Sequence, residues 1–320
     1  MPTAGDPELD TPALALLWAA RETGLLAALV VGADDEREAA DAAGVTERAA
    51  RIVTDALIDL GFLRRVDGDV EPANPALGLL ATRDLRSVGT VPAALDRFDA
   101  YAELPRTMES GVPPVDPDER VRHRLGAAEA VDDATVEATV DAALAANPDA
   151  ERALAVADGP GRHARALADR GLDVTLLDGP AVIEAVEPLL EPTPVTPRAG
   201  SLAGVEGTFD LVLTVDGAWR QAAEENRFTV LAAADGLAPG GAVVLIEPLR
   251  DHSTAAVGVA ATALATGTGE PSPESTVTEW LLDAGLEAIE TSDVPGTPYQ
   301  AVAGHLTDDG SATPRTAEFK

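Results

Sequence analysis

The sequence predicts an α/β protein in which a helical, winged-helix-like N-terminal domain precedes a doubly wound, mostly parallel sheet with an antiparallel C-terminal strand. Three observations predict this fold class. The length of 320 residues suits two domains of common size. From Glu151 onward, strand-like and helix-like segments alternate, which is typical of a parallel sheet covered on both faces. Residues 11–74 instead carry apolar residues at helical spacing and end in a short hairpin.

The N-terminal domain begins with apolar residues at helical spacing over 11–31. Thr11 as N-cap and a proline at the first helical position predict one largely buried helix there. A shorter helix is predicted over Glu36–Ala43. Thr46 then caps a third helix, which Gly61 ends.

A tight hairpin is predicted after the third helix, because Asp67 and Gly68 form a dipeptide that favours a two-residue turn. Helix, turn, helix and hairpin together make a winged helix, a module that often binds DNA. The polar face of the third helix, however, mixes two arginines with three acidic residues: Glu47, Arg48, Arg51, Asp55 and Asp59. Without a basic stripe to neutralise phosphates, DNA binding is not expected.

The domain boundaries follow from changes in composition and rhythm. We expect a winged-helix-like domain over 1–104, linker helices over 105–150, the α/β domain over 151–306 and a flexible tail over 307–320. Within the α/β domain, strands are predicted from apolar runs at 153–157, 173–178, 209–215 and 242–248, with a closing antiparallel pair at 286–292 and 299–305.

The charge balance is strongly acidic: 55 Asp and Glu against 23 Lys and Arg give a net charge of −32, and Lys320 is the only lysine. The carboxylates are spread along the chain, which argues against a dedicated acidic tail for a basic partner. In dilute buffer these charges repel one another, whereas at about 1 M salt the Debye length falls to about 3 Å. We therefore expect a halophilic protein of a salt-rich cytoplasm.

Several classes of site are not expected. The absence of cysteine excludes disulfides and thiolate metal sites, and the four histidines lack ligand spacing, so no metal centre is predicted. The N-terminal segment has no basic stretch followed by an apolar core, and no apolar run approaches the roughly 18 residues of a membrane span. We expect a cytoplasmic protein without a membrane partner.

The first turn of the α/β domain carries the strongest chemical signal. Gly159 and Gly161 let the backbone approach a ligand, and the N-terminus of the next helix offers N–H groups to an anion. Asp178 follows 17 residues after Gly161 at the end of the next strand, where a carboxylate binds ribose hydroxyls. Nicotinamide dinucleotides and S-adenosylmethionine both use this arrangement.

The segment LAPGG at 237–241, which runs straight into strand AVVLIEP behind FDLVLTV and its helix, points to the second cofactor. With ALAVADGPGRHARAL, VTLLDGPAVIEAV and TVTEWLLDAGLEAIETSDVPG, these segments make the chain resemble the O-methyltransferase family of class I S-adenosylmethionine-dependent methyltransferases. The resemblance spans about residues 11 to 306. It implies a winged-helix dimerisation domain, a Rossmann-like methyltransferase domain and a homodimer that methylates a hydroxyl of a small molecule.

The same resemblance assigns the cofactor site. It implies that S-adenosylmethionine contacts the first turn, the end of the second strand and the segment after the third, at Asp158, Gly159, Gly161, Asp178, Ser201 and Leu202. Asp158 departs from the glycine-rich pattern of the family. It is interpreted either as part of the cofactor turn or as a solvated turn residue.

The catalytic position departs further, because the histidine that many members carry after the fourth strand is missing. Asp216 is the remaining candidate base, and it needs a pKa well above the ordinary value of about 3.9. In-line positioning of the nucleophile supplies much of the rate without a base. Two alternatives stay open: a catalytically degenerate homologue acting as a dimeric binding or regulatory protein, and a nicotinamide-dependent oxidoreductase.

Overall fold

The structure is a computed structural model whose chain divides into two compact units, 1–130 and 131–320. It describes five stretches of sequence: 9–78, 84–113, 120–205, 208–267 and 269–307. The predicted flexible tail lies almost wholly outside the described residues. Of the predicted linker helices, those before residue 130 belong to the first unit and the last one belongs to the second.

The described part of the first unit is mainly helical, with one hairpin. Its elements are α1 (Thr11–Glu22), α2 (Leu25–Val31), α3 (Glu36–Ala43), α4 (Glu47–Asp59), β1 (Leu63–Val66), β2 (Asp69–Pro72), α5 (Asn74–Gly78), a 3₁₀ turn (Leu85–Ser87), α6 (Val91–Ala102), α7 (Leu104–Ser110) and α8 (Val121–Glu129).

The single helix predicted over 11–31 is wrong: the segment forms two helices, α1 and α2. Gly24 breaks it with a left-handed φ of 78°, a conformation that glycine adopts without strain. The break lets Leu25, Leu26 and Leu29 join the core. The predicted N-cap is also wrong, because the Asp10 carboxylate accepts from the N–H of Ala13 at 2.9 Å.

The predicted ends of the third helix and the predicted hairpin are confirmed. The Thr46 hydroxyl accepts from the backbone of Ala49 at 3.2 Å and caps α4. The helix ends before Gly61, which has a φ of 77°. Asp67 and Gly68 have φ values of 54° and 106°, as a turn of the I′ kind requires, so β1 and β2 pair directly across them.

The apolar helices α1 and α2 lie in the core of this unit. Their buried side chains pack with those of α4, α6 and the hairpin, including Leu17, Leu29, Leu57, Phe62 and Leu95. Among the described residues, no single helix is both long and apolar enough to cross a membrane. Together α1 and α2 meet the length and composition criteria, but they meet at a bend of 78°.

The second unit is a sheet of seven strands with helices before and between them. Its elements are α9 (Asp133–Ala146), β3 (Arg152–Val156), α10 (Arg162–Asp169), β4 (Asp173–Asp178), α11 (Pro180–Leu190), β5 (Thr196–Ala199), a 3₁₀ turn (Leu202–Gly204), β6 (Phe209–Val215), a second 3₁₀ turn (Ala218–Arg220), α12 (Ala223–Asp235), β7 (Leu237–Glu247), α13 (Ala256–Thr266), α14 (Glu274–Asp283), β8 (Glu287–Asp293) and β9 (Gln300–His305).

The strand order is β5-β4-β3-β6-β7-β9-β8. The first five strands in this order are parallel, and β9 pairs antiparallel with both β7 and β8. This confirms the predicted α/β fold with its closing antiparallel pair. β7 begins at Leu237, earlier than predicted. Close backbone approach explains this start, because a Cβ on Gly241 would lie 2.9 Å from the Ala238 carbonyl and 3.0 Å from that of Phe209.

Helix α13 was not anticipated from the sequence. It belongs to a segment rich in alanine and threonine, 253–269, that has no ionisable side chain. Alanine favours a helix, but the segment lacks the alternation of polar and apolar residues that would have indicated one. In the structure, Val257 is 84% exposed and Leu264 is 44% exposed, so much of this uncharged helix faces solvent.

Candidate functional site

The predicted site residues meet at one edge of the seven-stranded sheet. In a parallel sheet the carboxyl ends of the strands share an edge, and ligands bind in the crevice outside it. The turn after β3, the end of β4, the turn after β5 and the turn after β6 all lie at this edge. They carry, in this order, Gly159 and Gly161, Asp178, Ser201, and Asp216.

The turn after β3 has an unusual backbone. Ala157, Gly159 and Gly161 all have positive φ, at 54°, 56° and 78°. Glycine is needed at position 161 for a second reason, since a Cβ there would lie 3.0 Å from Leu190 and 3.2 Å from Leu176. At Gly161 the turn therefore packs its backbone directly onto apolar side chains.

Asp158 points into this turn and caps α10. One carboxylate oxygen accepts from the backbone N–H of Ala164 at 2.8 Å, and the other lies 2.5 Å from Nδ1 of His163. The side chain is only 5% exposed. Its interpretation as a solvated turn residue is therefore wrong. Because Asp158 takes up the N–H of Ala164, a ligand anion meets fewer donors at α10 than the sequence suggested.

Asp178 ties the neighbouring turns together. Its carboxylate accepts from the backbone N–H of Gly159 at 3.2 Å and from that of Gly179 at 2.7 Å. Its carbonyl accepts from the N–H of Gly200 at 3.0 Å. A Cβ added to Gly179 or Gly200 would meet nothing within 4 Å, so the space in front of both turns is open. A half-buried carboxylate therefore borders open space at the sheet edge.

Ser201 and Leu202 follow Gly200 at the same edge. Ser201 is exposed, whereas Leu202 is half-buried against the core and begins the 3₁₀ turn. Because the register pairs Asp178 with Ala199, both residues come just beyond the end of β4. The structure thus brings these two predicted residues next to Asp178.

Asp216 follows β6 with a φ of 52°, a left-handed conformation that is uncommon for aspartate. One carboxylate oxygen accepts from Nε1 of Trp219 at 2.7 Å, and the other accepts from Nη2 of Arg220 at 3.0 Å. The guanidinium of Arg220 also lies 4.0 Å from the centre of the Trp219 ring. Both carboxylate oxygens of Asp216 are therefore engaged within the chain.

Glu247, at the end of β7, is a site residue that the sequence analysis missed. Its side chain is buried, and Oε1 accepts from the backbone N–H groups of Gly217 and Ala218, both at 2.9 Å. Burial and then the charge of Asp216 raise the pKa of Glu247 to about 8. Glu247 is therefore a neutral acid at pH 7. An acidic residue closing the apolar run VVLI was the available signal.

Two further missed residues surround the same turn. Asn226 in α12 is buried and donates to the carbonyl of Ala218 at 2.7 Å. Tyr299 precedes β9, and burial followed by the charges of Asp216 and Glu247 raises its pKa. The two carboxyl groups, the phenol and Arg220 therefore form one polar cluster at the ends of β6, β7 and β9.

Solved methyltransferases share this architecture over nearly their whole length. An O-methyltransferase family protein from Burkholderia thailandensis has a TM-score of 0.65 and 22% identity, covering 92% of this chain and 95% of the other. Human N-acetylserotonin methyltransferase in complex with S-adenosylmethionine has a TM-score of 0.65 and 16% identity, covering 92% of this chain and 94% of the other. An O-methyltransferase from neocarzinostatin biosynthesis, bound to S-adenosylmethionine and a hydroxynaphthoic acid, has a TM-score of 0.62 and 15% identity. The match covers 93% of this chain and 97% of the other.

At these identities the likeness establishes the fold: a helical region and a seven-stranded sheet in the arrangement of O-methyltransferases. No protein-family model matches the sequence. No curated protein matches it either.

Proposed function

We propose that this protein is an S-adenosylmethionine-dependent methyltransferase that methylates a hydroxyl group of a small molecule. The observation that carries the proposal is the position of Asp178, a carboxylate held by Gly159 and Gly179 beside open space at the edge of the sheet. The solved structures of the same fold that bind S-adenosylmethionine support this choice of cofactor.

The residues at the edge fit the nucleoside half of the cofactor. Asp178 accepts backbone hydrogen bonds from Gly159 and Gly179, and a carboxylate at this strand end suits the ribose hydroxyls of the cofactor. Ser201 is exposed, and its hydroxyl offers a hydrogen-bond donor and an acceptor to the adenine of the cofactor. The buried carboxylate of Asp158 accepts from the N-terminus of α10 and contacts His163, and these contacts offset part of its repulsion of the carboxylate of a bound methionine group.

S-adenosylmethionine supplies an electrophilic methyl group when bound. The chain's part is to orient that methyl group and the substrate, because alignment of two reactants lowers the barrier substantially. Asp216 is the polar group best placed to contact a substrate hydroxyl, with its charge stabilised by Arg220. It acts mainly by orienting the hydroxyl, since both of its oxygens already accept hydrogen bonds, from Trp219 and from Arg220.

The first experiment is calorimetric titration of S-adenosylmethionine and its demethylated product in multimolar KCl. We expect micromolar binding of both, and at least tenfold weaker binding to Asp178→Asn, since Asn keeps the shape but offers one acceptor fewer. Arg198→Gln, on the exposed strand β5, is the matched control. Absence of binding in a folded sample would refute the proposal, and protection in thermal melts by NADH alone would favour an oxidoreductase.

A second candidate function is that of a degenerate homologue, a dimeric binding or regulatory protein. The observation in its favour is that the carboxylates of Asp158 and Asp216 are already engaged within the chain, Asp158 at α10 and Asp216 with Arg220. Transfer of a labelled methyl group to any hydroxylated aromatic or aliphatic acceptor would exclude it. Cofactor binding without transfer across a broad acceptor panel would favour it.

A further inference from the structure

The turn that presents Asp216 is held from two sides by buried side chains. Glu247 accepts from the N–H groups of Gly217 and Ala218, and Asn226 donates to the carbonyl of Ala218. The backbone at Gly269 approaches the same turn so closely that a Cβ there would lie 2.2 Å from the carbonyl oxygen of Trp219. The conformation of this turn is therefore determined by its surroundings.

Such restraint is needed because the turn is strained. Asp216 has a φ of 52°, which a residue with a Cβ keeps only when neighbouring structure enforces it. Its N–H donates to the carbonyl of Ile246 at 2.9 Å, next to Glu247 in β7. The end of β7 thus fixes the backbone on both sides of the Asp216 side chain.

The second oxygen of Glu247 distinguishes it from an ordinary backbone-binding residue. Oε2 is buried and has no hydrogen-bond partner among the described residues. The nearby cation, Arg220, is engaged with Asp216. An ionised Glu247 would therefore place a second, unpaired negative charge beside Asp216 in a buried site, which is unfavourable.

We propose that Glu247 is a positioning residue that works in its protonated form, fixing the Gly217–Ala218 backbone so that Asp216 and Arg220 stay at the sheet edge. This inference rests on the proposed methyltransferase function. The raised pKa agrees with it, because the proton is then retained up to about pH 8. A carboxyl group that already holds a proton cannot remove one from a substrate, so Glu247 does not act as the general base.

The role predicts different outcomes for two substitutions. Glu247→Gln keeps an acceptor for both N–H groups and is neutral at every pH, so kcat at pH 7 should stay within threefold of the native value. It should also lose any fall in activity around pH 8. Glu247→Leu leaves two N–H groups unpaired, so we expect kcat to fall at least tenfold. Loss of activity in Glu247→Gln would identify a base and overturn the proposal.

Asn226→Ala is the matched control, because it loosens the same turn without removing an ionisable group. We expect a lower kcat with an unchanged midpoint on the alkaline side of the pH profile. A shift of that midpoint as large as the one in Glu247→Gln would mean that general loosening of the turn, and not the proton on Glu247, controls activity. That outcome would also overturn the proposal.

A measurement on the protein without cofactor or substrate separates this inference from the proposed function. The Trp219 indole donates to Asp216, so its fluorescence should report ionisation of Glu247 with a midpoint near pH 8. The transition should persist in Asn226→Ala, vanish in Glu247→Gln and be assigned by its loss in Trp219→Phe. No transition in the native protein would overturn the inference. A clear transition without cofactor binding or turnover would overturn the methyltransferase assignment, and the catalytic role with it.

Discussion

Gly161 and Gly179 flank the same open edge but have opposite requirements for a side chain. Gly161 has positive φ and faces Leu190 and Leu176, whereas Gly179 has a φ of −60° and open space around it. Gly161→Ala should lower the free energy of unfolding by about 2 kcal/mol through strain and overpacking. Gly179→Ala should change it by less than about 0.5 kcal/mol. Denaturant unfolding of both variants in high salt tests this, and equal effects would contradict the described backbone.

Glu247 should make stability depend on pH. Its pKa in the folded protein, about 8, lies above the ordinary 4.5, so the folded state binds the proton more tightly. The stabilisation that the protonated side chain contributes is therefore complete below pH 4.5 and is lost as the pH rises through about 8, a change on the order of 5 kcal/mol. Glu247→Gln should remove this dependence, and the exposed Glu224→Gln should retain it. Parallel plots of unfolding free energy against pH for the native protein and Glu247→Gln would refute the raised pKa of Glu247.

The contrast between Asp178 and Glu247 shows which site residues a sequence reveals. Asp178 was predictable because its distance from the glycine turn places it at a strand end. Glu247 was not predictable, because its burial depends on β9, a strand about 50 residues later in the chain that pairs antiparallel with β7. Asp158 was predicted at the right turn, but its direction toward α10 depends on the left-handed backbone at Ala157 and Gly159, which the residue types alone do not specify.

Asp158 caps the N-terminus of helix α10 and should stabilise the helix. This residue caps the N–H of Ala164 and contacts His163, while Gly161 offers no side chain for the purpose. Asp158→Ala should destabilise the second unit by about 1–2 kcal/mol, the usual cost of a lost cap. Asp158→Asn should cost less, because its amide oxygen still accepts from Ala164. Thermal unfolding measures the difference, and a neutral Asp158→Ala variant would contradict the cap.

Elements bounded by clear turn or capping residues were predictable, and elements without such boundaries were not. Four of the five parallel strands stood out as apolar runs between turn residues, and α4 was bounded by Thr46 and Gly61. The exposed edge strand β5, with the sequence TPRA, was not predicted because it is not an apolar run. The helix pair α1 and α2 was misread because Gly24 interrupts an otherwise continuous apolar pattern. Tertiary packing decided the outcome there, since the break allows both helices to bury leucines in one core.

The whole molecule has 32 more acidic than basic side chains, so repulsion should limit its stability in dilute buffer. Local pairs such as that of Arg170 with Asp141 offset little of this, because exposed pairs contribute about 0–1 kcal/mol each. We expect Tm to rise between about 0.1 and 2 M KCl, by about 2–4 °C for each kcal/mol of repulsion screened. Sucrose, which does not screen charge, is the control, and a Tm insensitive to KCl would contradict a halophilic protein.

The proposed assembly is a homodimer of the first unit's helices, in the cytoplasm of a salt-adapted cell. Light scattering in multimolar KCl should give twice the mass of the 32.8 kDa chain. Arginines of the hairpin are engaged with acidic groups, Arg64 with Glu71 and Arg65 with Glu36, which agrees with the expectation that this unit does not bind DNA. A monomer at this salt concentration would contradict the assembly.

The uncharged helix α13 has a consequence for handling the protein. Salt that screens the carboxylates also strengthens the tendency of apolar surface to leave water, particularly with sulfate or phosphate. Val257 and Leu264 keep such surface exposed on a helix without any charged side chain. Solubility should therefore pass through a maximum as salt rises, with precipitation at the upper end beginning at lower concentration in sulfate than in chloride. Val257→Glu should move that upper limit to higher salt.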